Sequence, residues 1–227
     1  MLVALDFSAV FSAWPLLVRG VAWTIALTLV GTVLGLLLGT ACAWARARNL
    51  GPRLPPLRWA VAAYVELVRN TPFIVQLFFI FFGLPSLGVK LSPEVASIIA
   101  MVLNLGAYAT EIIRAGIESI PKGQIEAGLA LDLKRWEIFR FVILKPALKT
   151  IYPALTSQFI LLMLSSAVVS VISADDLTSV AANIQSETFR SFEVYIVVAA
   201  IYLLLSLAFN LLFKLIYQMA LNYPDRR

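Results

Sequence analysis

The sequence predicts an all-α, polytopic integral membrane protein with five transmembrane helices and a helical cytoplasmic loop, built as one domain over residues 1–227. Three observations predict it. Hydrophobic residues make up 61% of the chain and charged residues only 14%, with mean hydropathy +0.90, which is more apolar surface than a water-soluble domain of this size can hide. The apolar residues fall in long runs separated by polar stretches. The basic residues concentrate in alternate loops, as they do when those loops face the cytoplasm.

The elements follow in order. Residues 1–19 lack a basic start and carry Asp6 and Pro15 where a signal peptide needs an apolar run. They read as an interfacial segment with Phe7, Phe11 and Trp14 at headgroup level. A first span, about 20–44, is free of charge and long enough to cross at roughly 1.5 Å per residue. A second, about 57–84, is interrupted by Thr71-Pro72, which kinks it and frees a backbone carbonyl. The third, about 93–114, is the least hydrophobic, and the fourth and fifth cover about 149–173 and 194–218.

Loop charges set the orientation. Arg46, Arg48, Arg53 and Arg58 follow the first span. The stretch 114–149, between the third and fourth spans, holds seven of the eighteen Lys/Arg residues and four acids. By contrast 85–94 has only Lys90, and 174–193 has Arg190 against Asp175, Asp176, Glu187 and Glu193. Lys214, Arg226 and Arg227 close the chain. The predicted N-terminus is therefore outside and the C-terminus in the cytoplasm. The periodic Leu, Ile, Phe and Trp of 115–148 predict short amphipathic helices, a structured surface presented to a partner.

Several functions are excluded or disfavoured by composition. A single cysteine, Cys42, rules out a disulfide framework, and the lack of histidine removes the commonest metal ligand and proton shuttle. No GxxxxGK[ST] phosphate loop is present, so ATP is not expected to bind this chain in that way. The net charge of +5 follows from cytoplasmic loops and needs no nucleic acid.

Three blocks, RNTPFIVQLFFIFFGLP (69–85), NLGAYATEIIRAGIESIPKGQIEAGLALDL (104–133) and LKPALKTIYPALTSQFILLM (144–163), resemble the permease subunits of bacterial ATP-binding-cassette importers. Within these they are most similar to the polar amino-acid, histidine/glutamine-type branch. The resemblance implies the type I importer permease fold and a bacterial inner-membrane location. It also implies a non-catalytic role in amino-acid import, with no cofactor on this chain. The implied partners are two copies of an ATPase that uses the ATP, a second permease identical or related to this one, a periplasmic or lipid-anchored solute-binding protein, the amino-acid substrate and membrane lipid.

That family carries a cytoplasmic motif, E-A-A-x3-G-x9-I-x-L-P, forming two short helices that fit a cleft on the ATPase. Glu126, Ala127 and Leu144 match it here, with Gly123 in the run GQIEA. Gly128 replaces the second alanine, Asp132 the glycine, Val142 the isoleucine and Lys145 the proline, with Pro146 one place late. The motif glycine sits at a left-handed turn, where Asp is among the least costly substitutes, and the Asp132 carboxylate is placed to cap the next helix. The displaced proline is expected to shift where the second helix ends. Glu126 is implied as the main ATPase anchor. Leu129, Leu133, Trp136 and Phe139 form either the docking face or packing against the spans.

Within the spans, Glu66/Arg69 and Glu111/Arg114 share a three-residue spacing that allows mutual neutralisation, as a network moving with the coupling loop or as charges snorkelling to the interface. An amino acid crossing the bilayer needs its charges satisfied, and Gln76, Asn104, Gln158, Ser165, Ser166 and Ser170 are the candidate pathway groups. Each is also able to bond a neighbouring helix instead. Many relatives carry Lys-Asp where this chain has Leu164-Ser165, which implies a less charged pathway. An ion-coupled secondary transporter is the alternative, although no internal repeat and few buried acids support it. A lipid-modifying membrane enzyme is a further one, lacking an interfacial cluster of acids or histidine.

Overall fold

A computed structural model describes residues 5–46 and 55–221, and every regular element among them is helical. The topological charges Arg48, Arg53, Arg226 and Arg227, and the start of the 1–19 segment, lie outside the described residues. A short α1 (Ser8–Ser12) leads into the long α2 (Trp14–Arg46), and α3 (Pro55–Arg69) follows. α4 (Phe73–Phe78) continues through a wide π turn (Phe79–Gly83) and a tight 3₁₀ turn (Leu84–Leu87). α5 (Pro93–Glu118) opens with Ser92 Oγ accepting from the Val95 N–H and Pro93 at its first position.

Next come α6 (Lys122–Ala130) and α7 (Arg135–Glu137). A π turn (Ile138–Ile143) carries α7 without a break into α8 (Leu144–Ser165), which ends in 3₁₀ turns (Ser166–Ile172). α9 (Leu177–Thr188) and α10 (Ser191–Ala220) complete the chain.

Four of these helices are long and apolar enough to cross a membrane, and five spans result when α3 and α4 count as one broken span. The break is larger than the expected kink. α3 and the α4 stretch meet at 114°, because Asn70-Thr71-Pro72 leaves helical geometry altogether.

α2 and α5 form the centre, and small residues bring them together. Gly31, Gly35 and Gly39 recur every fourth residue on α2. A Cβ added at Gly35 would lie 2.9 Å from Leu105 Cβ, and one at Gly39 only 2.6 Å from Ala109 Cβ. This close approach maximises dispersion contacts where lipid tails give helices no hydrophobic reason to associate. Around it, Leu27, Leu77, Met101, Leu162 and Val169 join α2, α4, α5 and α8 into one core. α10 presents Leu203, Leu204, Leu207, Leu211 and Met219 outward, the composition of a lipid-facing surface.

The two ends of the bundle differ. One carries α6, α7 and the C-terminal end of α2; the other carries α1 and α9. The 174–193 stretch, read from sequence as a loop, holds the twelve-residue α9, which packs Leu177, Ala181 and Ile184 against Val10, Leu17 and Val194. The N-terminal segment is also tied down, with Val10 fully buried while Phe11 and Trp14 remain exposed.

Candidate functional site

The segment between α5 and α8 folds as a helix, a turn and a second helix. α6 starts after Pro121, with Gln124 N–H donating to Pro121 C=O, and ends in a Schellman turn. Leu133 N–H donates to Gly128 C=O at 3.1 Å and Asp132 N–H to Leu129 C=O at 2.9 Å, with Asp132 left-handed at φ 56°. Asp132 does not cap the following helix. That helix is capped at Lys134, whose N–H donates to Glu137 Oε2 at 2.7 Å, because Glu137 lies three residues on and reaches back.

Nor does the second helix end near Pro146. The proline is the third residue of α8 but lies inside a helical path that continues from α7, and the wider π turn before it makes room for the ring.

Burial separates the apolar residues of this element. Ile120, Ile138, Ile143 and Ala147 form a buried cluster, with Leu133 and Phe139 packed against it. A Cβ at Gly128 would meet Ile138 Cγ1 at 3.1 Å, so this departure from alanine fits the isoleucine above it. Leu129, Leu131 and Trp136 stay exposed, Trp136 stacking on Phe139 at 5.8 Å. The expected four-residue stripe is thus divided: Leu133 and Phe139 pack inward, while Leu129 and Trp136 face out. Gly123, Glu126 and Ala127 are exposed on α6, and Leu144 and Pro146 half-buried at the start of α8. Among the described residues, no hydrogen bond or ion pair engages the Glu126 side chain.

One of the two expected charge pairs forms. Arg114 donates to Glu111 Oε2 at 2.8 Å and to Glu118 Oε2 at 2.5 Å. Arg46, at the end of α2, completes the cluster by pairing with Glu111 Oε1. Glu66 and Arg69 do not pair. Asn70, one turn on, donates to the Glu66 carboxylate at 3.2 Å, and the Arg69 guanidinium lies 5.5 Å over the Tyr108 ring. Arg46 drew attention in the sequence only as a loop charge, since nothing local marks a partner 65 residues away.

The pathway candidates divide in the same way. Gln76 Nε2 donates to Val68 C=O at 2.8 Å and Thr71 C=O at 3.0 Å, satisfying carbonyls freed by the α3–α4 break. Asn104 Nδ2 in turn donates to Gln76 Oε1 at 3.1 Å. Ser166 and Ser170 bond the carbonyls of Met163 and Ala167. Gln158 and Ser165 are half-buried on α8, with side chains unbonded among the described residues.

A third polar group went unforeseen. Asp176 is fully buried and caps α9, accepting from Ser179 N–H at 2.7 Å and from Tyr202 of α10 at 3.2 Å. Leu177 N–H donates to Thr24 Oγ1 of α2 at 3.1 Å. Burial pushes the Asp176 carboxyl above the ordinary carboxylate range, against these hydrogen bonds. An Asp followed by Leu177, Val180, Ala181 and Ile184 was the sequence signal for this cap and helix.

Comparison with known proteins gives one family. Residues 31–220 match the model for "binding-protein-dependent transport system inner membrane component". The glutamine transport system permease protein GlnP of Escherichia coli K12 is 35% identical over 211 residues, 92% of this chain and 94% of that one. The L-cystine transport system permease protein TcyB of Bacillus subtilis 168 is 38% identical over 192 residues, 84% and 80% of the two chains. Among solved structures, an amino acid ABC transporter described as "with histidines" superposes with TM-score 0.87 at 37% identity, over 96% of this chain and 100% of that one. An inward-facing MetNI methionine ABC transporter has TM-score 0.76 at 24% identity, a likeness of fold, over 92% of this chain and 97% of that one.

Proposed function

The chain belongs to the binding-protein-dependent transport system inner membrane components, and from that premise we propose how its parts serve an import cycle. It is a multi-pass, non-catalytic permease subunit of an ATP-binding-cassette importer, working with an ATPase and a substrate-binding protein. The cargo in our reading is an amino acid, supported by relatives named for glutamine, cystine and arginine transport.

Residues 122–147 receive the ATPase. The observation that carries this is the division of burial on that element. Ile138 and its neighbours lock α6 onto the base of α8, while Glu126, Leu129 and Trp136 stay exposed. A carboxylate and an indole held ready on a fixed frame are the features of an interface anchor. ATP is bound and hydrolysed by the partner alone. Each permease takes one ATPase, two per complex, and the second permease is a copy of this chain or a related one.

The α9 end faces outside, where the binding protein delivers substrate, and the α6 end and C-terminus face the cytoplasm; the basic residues near α6 support this. Gln158 and Ser165, with the Asn104–Gln76 pair, offer hydrogen bonds to the passing zwitterion. ATP-driven approach of the two ATPases moves the coupling elements and exchanges inward- and outward-open states.

The test is Glu126→Ala in the assembled complex. Co-purification of the ATPase is expected to fall, and transport-linked ATP hydrolysis with it. Wild-type assembly and hydrolysis would remove Glu126 from the contact.

A further inference from the structure

A cleft of about 150 Å³ opens between α2 and α9, lined by Leu16, Arg19 and Trp23 on one wall and Asp175, Val180 and Asn183 on the other. Neither the coupling element nor the pathway uses it. Arg19 and Asp175 face each other at 3.8 Å, beyond hydrogen-bond reach, and both side chains are more than half exposed. Each therefore keeps donors or lone pairs for a third party. A cation and an anion on opposite walls, with the Asn183 amide nearby, fit a ligand that carries both signs a few atoms apart.

Depth identifies that ligand. α2 is one unbroken helix, and its exposed Trp23 and Trp44 stand 21 residues apart, about 31 Å along the axis. That separation matches the roughly 30 Å hydrocarbon layer, at whose two boundaries tryptophan collects. Val30, Val33, Leu34 and Leu37 are exposed between them. Arg19 lies one turn beyond Trp23, about 6 Å further along the axis, within the headgroup layer. The cleft thus opens at headgroup depth beside a lipid-facing surface.

We propose that it binds a zwitterionic phospholipid headgroup ending in a primary ammonium, as in phosphatidylethanolamine. The Arg19 guanidinium takes the phosphate through its planar fork. Asp175 accepts hydrogen bonds from the ammonium, and the Trp23 ring covers the glycerol. A choline headgroup has no N–H to give Asp175, and a glycerol headgroup brings no cation. The leaflet occupied rests on the orientation proposed above, whereas the site itself does not.

The test is native mass spectrometry of the detergent-purified full-length chain, titrated separately with phosphatidylethanolamine, phosphatidylcholine and phosphatidylglycerol. Phosphatidylethanolamine is expected to bind about tenfold more tightly than the others, the scale of one charge-assisted hydrogen bond. Arg19→Ala and Asp175→Asn should each abolish that preference, with circular dichroism confirming intact helices. Equal binding of the three lipids, or an unchanged preference in both variants, overturns the proposal. Free phosphoethanolamine and free glutamine serve as competitors. Displacement by phosphoethanolamine alone supports the lipid site, and equal displacement by glutamine assigns the cleft to a soluble zwitterion and overturns it. No ATPase or transported cargo enters the assay, so a failed coupling reading leaves its outcome untouched.

Discussion

Asp176 puts a carboxyl where water is absent and still finds partners for it, and the consequence is a stability that depends on pH. Its folded pKa is raised above 3.8 by burial. Just above pH 3.8 the folded chain therefore holds more protons than the unfolded one, and this contribution to stability, complete below 3.8, is lost as pH rises through the folded value. Asp6 acts in the opposite sense. The Ser8 side chain and N–H hold its carboxyl below 3.8, so its contribution is complete above that pH and is lost only on further acidification. In the interval above 3.8 the slope from these two groups belongs to Asp176 alone. Asn caps helices as well as Asp does, so Asp176→Asn should remove the part of the thermal stability that is lost as pH rises above 3.8 while keeping α9, measured by melting in detergent against the wild type. Asp132 shows which residue detail is legible in sequence: motif spacing marks the left-handed position, and its φ is 56°. The capping expected of its carboxylate does not occur, since the Lys134 N–H goes instead to Glu137, three residues on.

At the scale of elements, the α2–α5 contact depends on the absence of side chains. Gly39→Ala would bring a methyl to 2.6 Å from Ala109 Cβ, and overpacking of that kind costs about 1–3 kcal/mol. Gly123→Ala, on exposed α6 with nothing within 4 Å, should be neutral or stabilising by up to about 1 kcal/mol through helix propensity. Thermal melting of the two variants side by side checks both signs; equal effects would contradict the close packing. Four of the spans were legible because each is a long uninterrupted apolar run, and α2 and α5 extend beyond the expected 20–44 and 93–114 only by terminal turns. The second was half legible. Thr71-Pro72 announced a break, but the angle depends on Gln76 satisfying the freed carbonyls while Asn104 donates to the Gln76 side chain, a contact 28 residues apart in sequence. α9 was hidden by its own composition, since Ser, Thr, Asn and Glu dilute its apolar stripe to the level of a loop.

Across the whole molecule, Glu111 joins parts that are distant in sequence: Arg46 ends α2, Arg114 lies a turn on in α5, and Glu118 continues the cluster to where α6 departs. Glu111→Gln leaves two half-buried guanidinium groups without their shared counter-charge, and should cost about 2 kcal/mol, below the range for fully buried pairs because solvent still reaches the cluster. Glu66→Gln removes only an exposed bond from Asn70 and should cost less than about 0.5 kcal/mol. Melting of both variants under identical conditions tests the contrast, and a larger loss at Glu66 would refute it. The family motif located the helix-turn-helix at 122–147 from sequence, yet the parts that tie it to the bundle, Arg46 and Ile138 among them, emerge only when the spans are packed. The unbroken helical path from Arg135 to Ile172 has a mechanical consequence. Its 38 residues make a rod of about 57 Å, and a tilt of roughly 10° about the α7 end sweeps the far end through about 10 Å. A small rotation at the α7 end is thereby geared up at the opposite end of the bundle, and the π turn at Ile138–Ile143 is the place along this lever where torsion can be absorbed.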